Sequence, residues 1–191
     1  MTFEERVNTW RGACCLLITL GSLWLVLQHP SNLLFWLSPE ETFAPTGTLG
    51  FALAAAFGCY LAVDLAITLA FRSRFRRAMT AVYVHHVAVG LGVAGYLHPS
   101  PPRAFFVYVW GEALTACRLL PPALRWRARH VVFAFRRVTW LYLVIRDTYS
   151  LGILHARWGL PVAVLAPVLC MVLLYLDHGW CADCSHLTWP A

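Results

Sequence analysis

The chain has 191 residues, 60% of them hydrophobic and 13% charged, where water-soluble domains sit near 45–50% apolar and about 25% charged. That balance excludes an ordinary soluble globule and leaves no stretch for a second, aqueous domain. The net charge of +6 comes from 15 basic residues, all arginine; most lie in short segments between apolar runs, so they read as topology charge facing anionic headgroups and not as a nucleic-acid surface.

The N-terminal Met-Thr-Phe-Glu-Glu lacks the basic start of a signal peptide, and no small-residue cleavage site follows the first apolar run, which is therefore expected to stay as a span. Six apolar segments follow in order: Ala13 to Gln28, Gly47 to Phe71, Met79 to Leu97, Ala104 to Leu119, Val131 to Leu151, and Leu160 to Leu176. Each approaches the roughly 20 residues that cross a hydrocarbon core. The first, fourth and sixth are short and are expected to extend toward Trp10, Arg103 and Asp177. Stretches bearing Pro and Gly separate several of them: "HPSNLLFWLSPEETFAP", "HPSPPR", "PPALRWRARH" and "HARWGLP".

With the N-terminus in the cytoplasm, Arg6, Arg11, Arg72, Arg74, Arg76, Arg77, Arg125, Arg127 and Arg129 lie inside, against Arg103, Arg146 and Arg157 outside. Nine against three obeys the positive-inside rule. Without the first span, Arg6 and Arg11 change sides and the bias falls to seven against five. The expected fold is thus all-α: a polytopic membrane helical bundle of six transmembrane helices, both termini cytoplasmic, forming one domain over 1–191 with a short tail from 177.

Cys59, Cys117 and Cys170 fall inside apolar runs and read as small buried hydrophobes, and seven cysteines suggest no disulfide framework. In the tail, "HGWCADCSH" brings His178, Cys181, Cys184 and His186 together. That spacing matches no standard zinc finger, so these cysteines, like Cys14 and Cys15, read as incidental or acylated juxtamembrane thiols. No metal site is expected.

Asp64, His85, His86, Glu112, Arg118, Arg136 and Arg137 interrupt the apolar runs. An ionised residue at a helix centre costs about 2.5–3.5 kcal/mol on insertion scales, so such groups usually face the bundle interior, pair, and carry function. Counted from the cytoplasmic ends of their segments, Asp64, Glu112 and the histidines lie roughly 9–11 Å deep, with Arg136 and Arg137 slightly shallower. Four helices therefore contribute to one polar layer, in which the acids and arginines neutralise each other.

Adjacent helical residues point about 100° apart, so His85 and His86 do not both aim at one atom, and periodicity does not choose between them. Two readings stay open for the histidines: hydrogen-bond glue between helices, or chemistry near neutral pH. For Asp64 and Glu112 the plain alternative is a buried salt bridge, and for Arg136 and Arg137 it is snorkelling to the headgroups. The glycines from Gly90 to Gly95 lie inside a span and read as a close helix-packing face.

Asp64 in "YLAVDLAITL", the pair in "YVHHVAVGLG", Glu112 and Thr115 in "WGEALTACRLL" and an arginine in "FAFRRV" give an order that resembles the TLC domain, over about 46–176. It is most similar to the small TLC domain-containing proteins. The resemblance implies lipid handling. Ceramide synthases of this family join an acyl chain from acyl-CoA to a sphingoid amine using the histidine pair. Their second motif carries paired aspartates, where this sequence has Glu112, Thr115 and Arg118. The small members are associated with membrane phospholipid composition, and another type with endoplasmic reticulum lipid balance and cargo export.

The expected function is that of a lipid- or acyl-binding protein of membrane lipid homeostasis, in the endoplasmic reticulum or another endomembrane. The candidate lipid-binding residues are Glu112, Thr115, Arg118, Arg136, Arg137 and Tyr60. An alternative is an acyl-CoA-dependent acyltransferase with His85 or His86 as base or nucleophile, Asp64 or Glu112 orienting it, and Arg136 or Arg137 on the CoA phosphates. A cargo receptor is the third reading. Membrane lipids are the expected partners, a homo-oligomer is left open, and acyl-CoA is the one co-substrate considered.

Overall fold

The computed structural model describes residues 1–28, 45–75, 80–97, 101 and 105–185, with side chains as far as residue 176 except at 81, 107, 108, 111, 122 and 126. The first helix, α1, is Phe3–Leu27. It starts well before Ala13 because Thr2 and Glu5 cap each other: the Glu5 N–H donates to the Thr2 hydroxyl and the Thr2 N–H to the Glu5 carboxylate. Next come α2 (Gly47–Ala70), a 3₁₀ turn at Arg72–Arg74, and α3 (Thr80–Leu97).

The fourth apolar segment is not one helix. It breaks into α4 (Phe105–Val109), a 3₁₀ turn (Trp110–Glu112), α5 (Ala113–Ala116) and a second 3₁₀ turn (Cys117–Leu119). The last two helices are α6 (Pro122–Tyr149) and α7 (Leu151–Ser185). Two stretches expected as loops are helical. "PPALRWRARH" opens α6, with Pro122 at the first helical position, where its missing N–H costs nothing, followed by the good helix formers Ala, Leu and Arg. "HARWGLP" lies within α7, whose axis breaks at Gly159 (φ 80°, ψ 170°), a conformation open essentially to glycine alone. The expected tail from 177 is helical as far as Ser185, and His186 lies outside the described residues.

Among the described residues the fold is all-helical. Phe3–Leu27, Gly47–Ala70 and the Leu151–Leu176 part of α7 are long and apolar enough to cross a membrane, and Val82–Leu97 is apolar but shorter. The elements pack in a closed ring: α1 on α2, α2 on α3, α3 on α7, α7 on α6, α6 on the broken segment, and that segment back on α1. Aliphatic and aromatic side chains cover the outside as well as the core: Leu17, Leu20 and Trp24 on α1, Val87 and Leu91 on α3, and Val138 and Leu141 on α6 are all exposed. Exposed apolar side chains in this number fit an apolar surrounding.

Only part of the glycine run is a packing face. A Cβ at Gly95 would lie 3.3 Å from Val162 on α7, so there the helices do approach closely, whereas a Cβ at Gly90 would meet nothing within 4 Å. At Gly12 a Cβ would come within 2.9 Å of Leu119 Cγ, where α1 meets the broken segment. One substitution should therefore act with opposite signs. Gly90→Ala is expected to raise stability by about 0.5–1 kcal/mol through helix propensity, and Gly12→Ala to lower it by about 1–3 kcal/mol through overpacking. Thermal unfolding in detergent micelles checks both, and equal signs would contradict this packing.

Candidate functional site

The buried face of α1 repeats Val7, Arg11, Cys15, Ile18, Ser22 and Leu25, the spacing of one helical stripe. Arg11 lies on it about 12 Å from the helix start, and its side chain points into the bundle. Its Nε donates to Asp64 Oδ1 at 2.6 Å, its second guanidinium nitrogen donates to the Thr68 hydroxyl at 2.5 Å, and Phe75 covers the group at 5.3 Å. Arg11, assigned from the sequence to the cytoplasmic charge count, is thus an interior residue that neutralises Asp64.

The other carboxylate oxygen of Asp64 lies 2.7 Å from His86 Nε2, and His86 Nδ1 lies 2.8 Å from the Val82 carbonyl one turn earlier. Both partners are acceptors, so the full set of bonds needs an N–H on each ring nitrogen. Every polar atom of His86 is committed to holding α3 against α2. His85 faces elsewhere, its Nε2 3.1 Å from Glu112 Oε1. The two rings stand nearly perpendicular, at 81°. The 100° step between neighbouring helical residues therefore sends the pair to two different carboxylates on two different elements.

Glu112 sits where the broken segment tightens into its 3₁₀ turn. The Cys15 thiol lies 3.8 Å from its second oxygen and 3.3 Å from the Tyr60 hydroxyl, and Trp10 packs on the Tyr60 ring at 5.5 Å. Arg136, buried on α6 with its guanidinium 6.0 Å from the Trp140 ring, adds a positive charge near Glu112. Asp64, His85, His86, Glu112, Tyr60 and Arg136 are all buried and together with Arg11 form one layer across the ring.

Other candidates lie apart. Arg118 is exposed and donates to the Asn8 side chain, tying the end of the broken segment to α1. Thr115 is half-buried, with its carbonyl facing Gly12. Arg137, one residue from Arg136 and so rotated by about 100°, turns outward to a groove between α6 and α7. Cys15 is fully buried and so closed to acylation, and Cys59 is exposed on the outer face and not buried in the core.

A second buried pair escaped the sequence reading. Arg146, counted as an outer loop charge, has its Nε 2.9 Å and a terminal nitrogen 2.5 Å from Asp147 Oδ1, and the Cys170 thiol lies 3.9 Å from Oδ2. With Arg11 and Arg146 removed from the topology count as charges paired within the bundle, it moves from nine against three to eight against two. The same bias survives on fewer charges.

Next to the polar layer lies a cavity of ≈ 50 Å³ whose walls come from five of the six ring elements: Phe57 on α2, Val89 and Gly92 on α3, Phe105 and Glu112 on the broken segment, Trp140 on α6, and Leu169 and Leu173 on α7. Glu112 is its one charged wall residue. The space holds roughly four water-sized groups, the size of a short run of methylenes. The described residues contain no group of three or more His, Cys, Asp or Glu arranged to hold a metal, and the side chains of His178, Cys181, Cys184 and His186 lie outside the described set. No family model, no curated protein and no solved structure matches the chain.

Proposed function

We propose that this chain is a TLC-type membrane protein of six spans with cytoplasmic termini, which receives a lipid chain in the cavity beside Glu112 and acts in membrane lipid homeostasis in an endomembrane. The closed ring of six elements and its apolar exterior support six spans. The family reading rests on the order of Asp64, His85, His86, Glu112 and Arg136, which meet in one layer. One observation carries the lipid reading: Glu112 belongs both to the polar layer and to the wall of an otherwise apolar cavity, so the space ends on a hydrogen-bonding group, as sites for amphiphiles do.

The test fills the cavity without touching the layer. A Cβ at Gly92 would meet only Leu169, at 3.9 Å, so Gly92→Leu fits the helix and occupies the space. Mass spectrometry of the purified protein is expected to find lipid on the wild type and at least about tenfold less on Gly92→Leu, the effect of roughly 1.4 kcal/mol of lost binding, with thermal stability kept. Equal lipid on both proteins would remove the cavity from the function.

An acyltransferase reading draws support from the carboxylate behind each histidine, the arrangement that orients a general base. His85, whose Nε2 faces the Glu112 carboxylate at the cavity, is the histidine this reading assigns to that role. On this reading His85→Ala changes the cellular lipid profile while the protein remains inserted, and an unchanged profile with normal protein levels excludes it.

A further inference from the structure

The groove outside the ring, between α6 and α7, has a volume of ≈ 480 Å³ and is lined by Arg137, Val138, Leu141, Met171, Leu174 and Tyr175. The two helices run antiparallel there, so Arg137 and Tyr175 share one end, while Leu141 and Met171 lie about 6 Å further along. One end is thus polar and the other apolar. Arg137 is half-buried, and no hydrogen bond, ion pair or ring contact engages it among the described residues. An arginine at such a place, facing the outside of the ring with no acid bonded to it among the described residues, is costly unless an anion meets it.

The geometry points to a site for one anionic phospholipid on this outer groove, its phosphate on the Arg137 guanidinium and the Tyr175 hydroxyl, and the first part of one chain along Val138, Leu141, Met171 and Leu174. A phosphodiester presents two oxygens to the guanidinium fork. A headgroup with net negative charge is preferred over a zwitterionic one, because choline returns a positive charge beside the arginine. The volume lies within the usual range of ligand sites, about 300–1,000 Å³. This site is separate from the cavity at Glu112, and its failure leaves that reading intact.

The full chain in detergent micelles, titrated with phosphatidylserine or phosphatidylcholine and followed by native mass spectrometry, tests it. The wild type is expected to hold phosphatidylserine about tenfold more tightly than phosphatidylcholine. Arg137→Gln loses that preference, and Met171→Trp, which blocks the apolar end and keeps the cation, weakens both lipids. Millimolar inorganic phosphate leaves the bound phosphatidylserine in place. Equal retention of the two lipids by the wild type overturns the proposal, as does an undiminished preference in a folded Arg137→Gln or displacement by free phosphate, which would mark a simple anion site.

Discussion

Asp64→Ala is expected to destabilise the protein by about 3–5 kcal/mol, the cost of leaving one member of a buried ion pair behind. The carboxylate accepts from Arg11 at 2.6 Å and faces His86 at 2.7 Å, so its removal strands a guanidinium buried to 6% exposure. Thr68 and, at 3.4 Å, the Asn8 side-chain oxygen remain to bond it. Asp64→Asn should cost less, because the amide oxygen still accepts from Arg11 while the amide N–H₂ donates to a neutral His86 Nε2. The double variant Arg11→Met with Asp64→Leu removes both charges, and well-packed apolar pairs replace buried ion pairs at little or no cost; it should recover the part of the loss due to the stranded guanidinium, while His86 Nε2 still lacks its acceptor. A double-mutant cycle on unfolding in micelles measures this directly. Additive single effects would show that Arg11 and Asp64 do not hold α1 to α2.

The second large effect is at Glu112. Glu112→Leu should cost about 3 kcal/mol, since it removes the acceptor that His85 Nε2 bonds and the negative charge near Arg136. Glu112→Gln keeps an oxygen for the 3.1 Å bond to His85 and should cost only about 1 kcal/mol. The same pair separates structure from function. If Glu112 caps a lipid chain through hydrogen bonding, Glu112→Gln keeps the co-purifying lipid and Glu112→Leu loses it. Lipid lost from both would assign the requirement to charge, and lipid kept by both would leave Glu112 a purely structural group.

The two carboxylates thus divide the work of the layer. Asp64 joins α1, α2 and α3 through bonds that occupy every polar atom of His86, a closed set that favours one arrangement of three helices. Glu112 joins α3 to the broken segment and faces the cavity. The first acid is placed to hold the ring together and the second to meet whatever enters it.

The amino-acid sequence by itself determined the class of the molecule and the membership of most of its polar layer. Composition demanded apolar helices, and the short ionisable side chains inside apolar runs were expected to turn inward and pair, since the alternative is a charge facing hydrocarbon. Asp64, His85, His86 and Glu112 were expected inside on that argument, whereas Arg136 and Arg137 shared the alternative of snorkelling and Arg118, expected inside as well, is exposed. Arg11 was legible too, on the same helical stripe as Val7, Cys15 and Ile18, but its place near the N-terminus gave it an equally good reading as topology charge. Only the tertiary structure decided which cation meets which acid, which histidine faces which carboxylate, and that Arg137 turns away from Arg136. A pairing is settled by the azimuth and depth of each side chain on neighbouring helices, to within an ångström or two. Those quantities depend on how the ring closes, on the 3₁₀ turns around Glu112 and the break at Gly159, and hydrophobic periodicity constrains none of them.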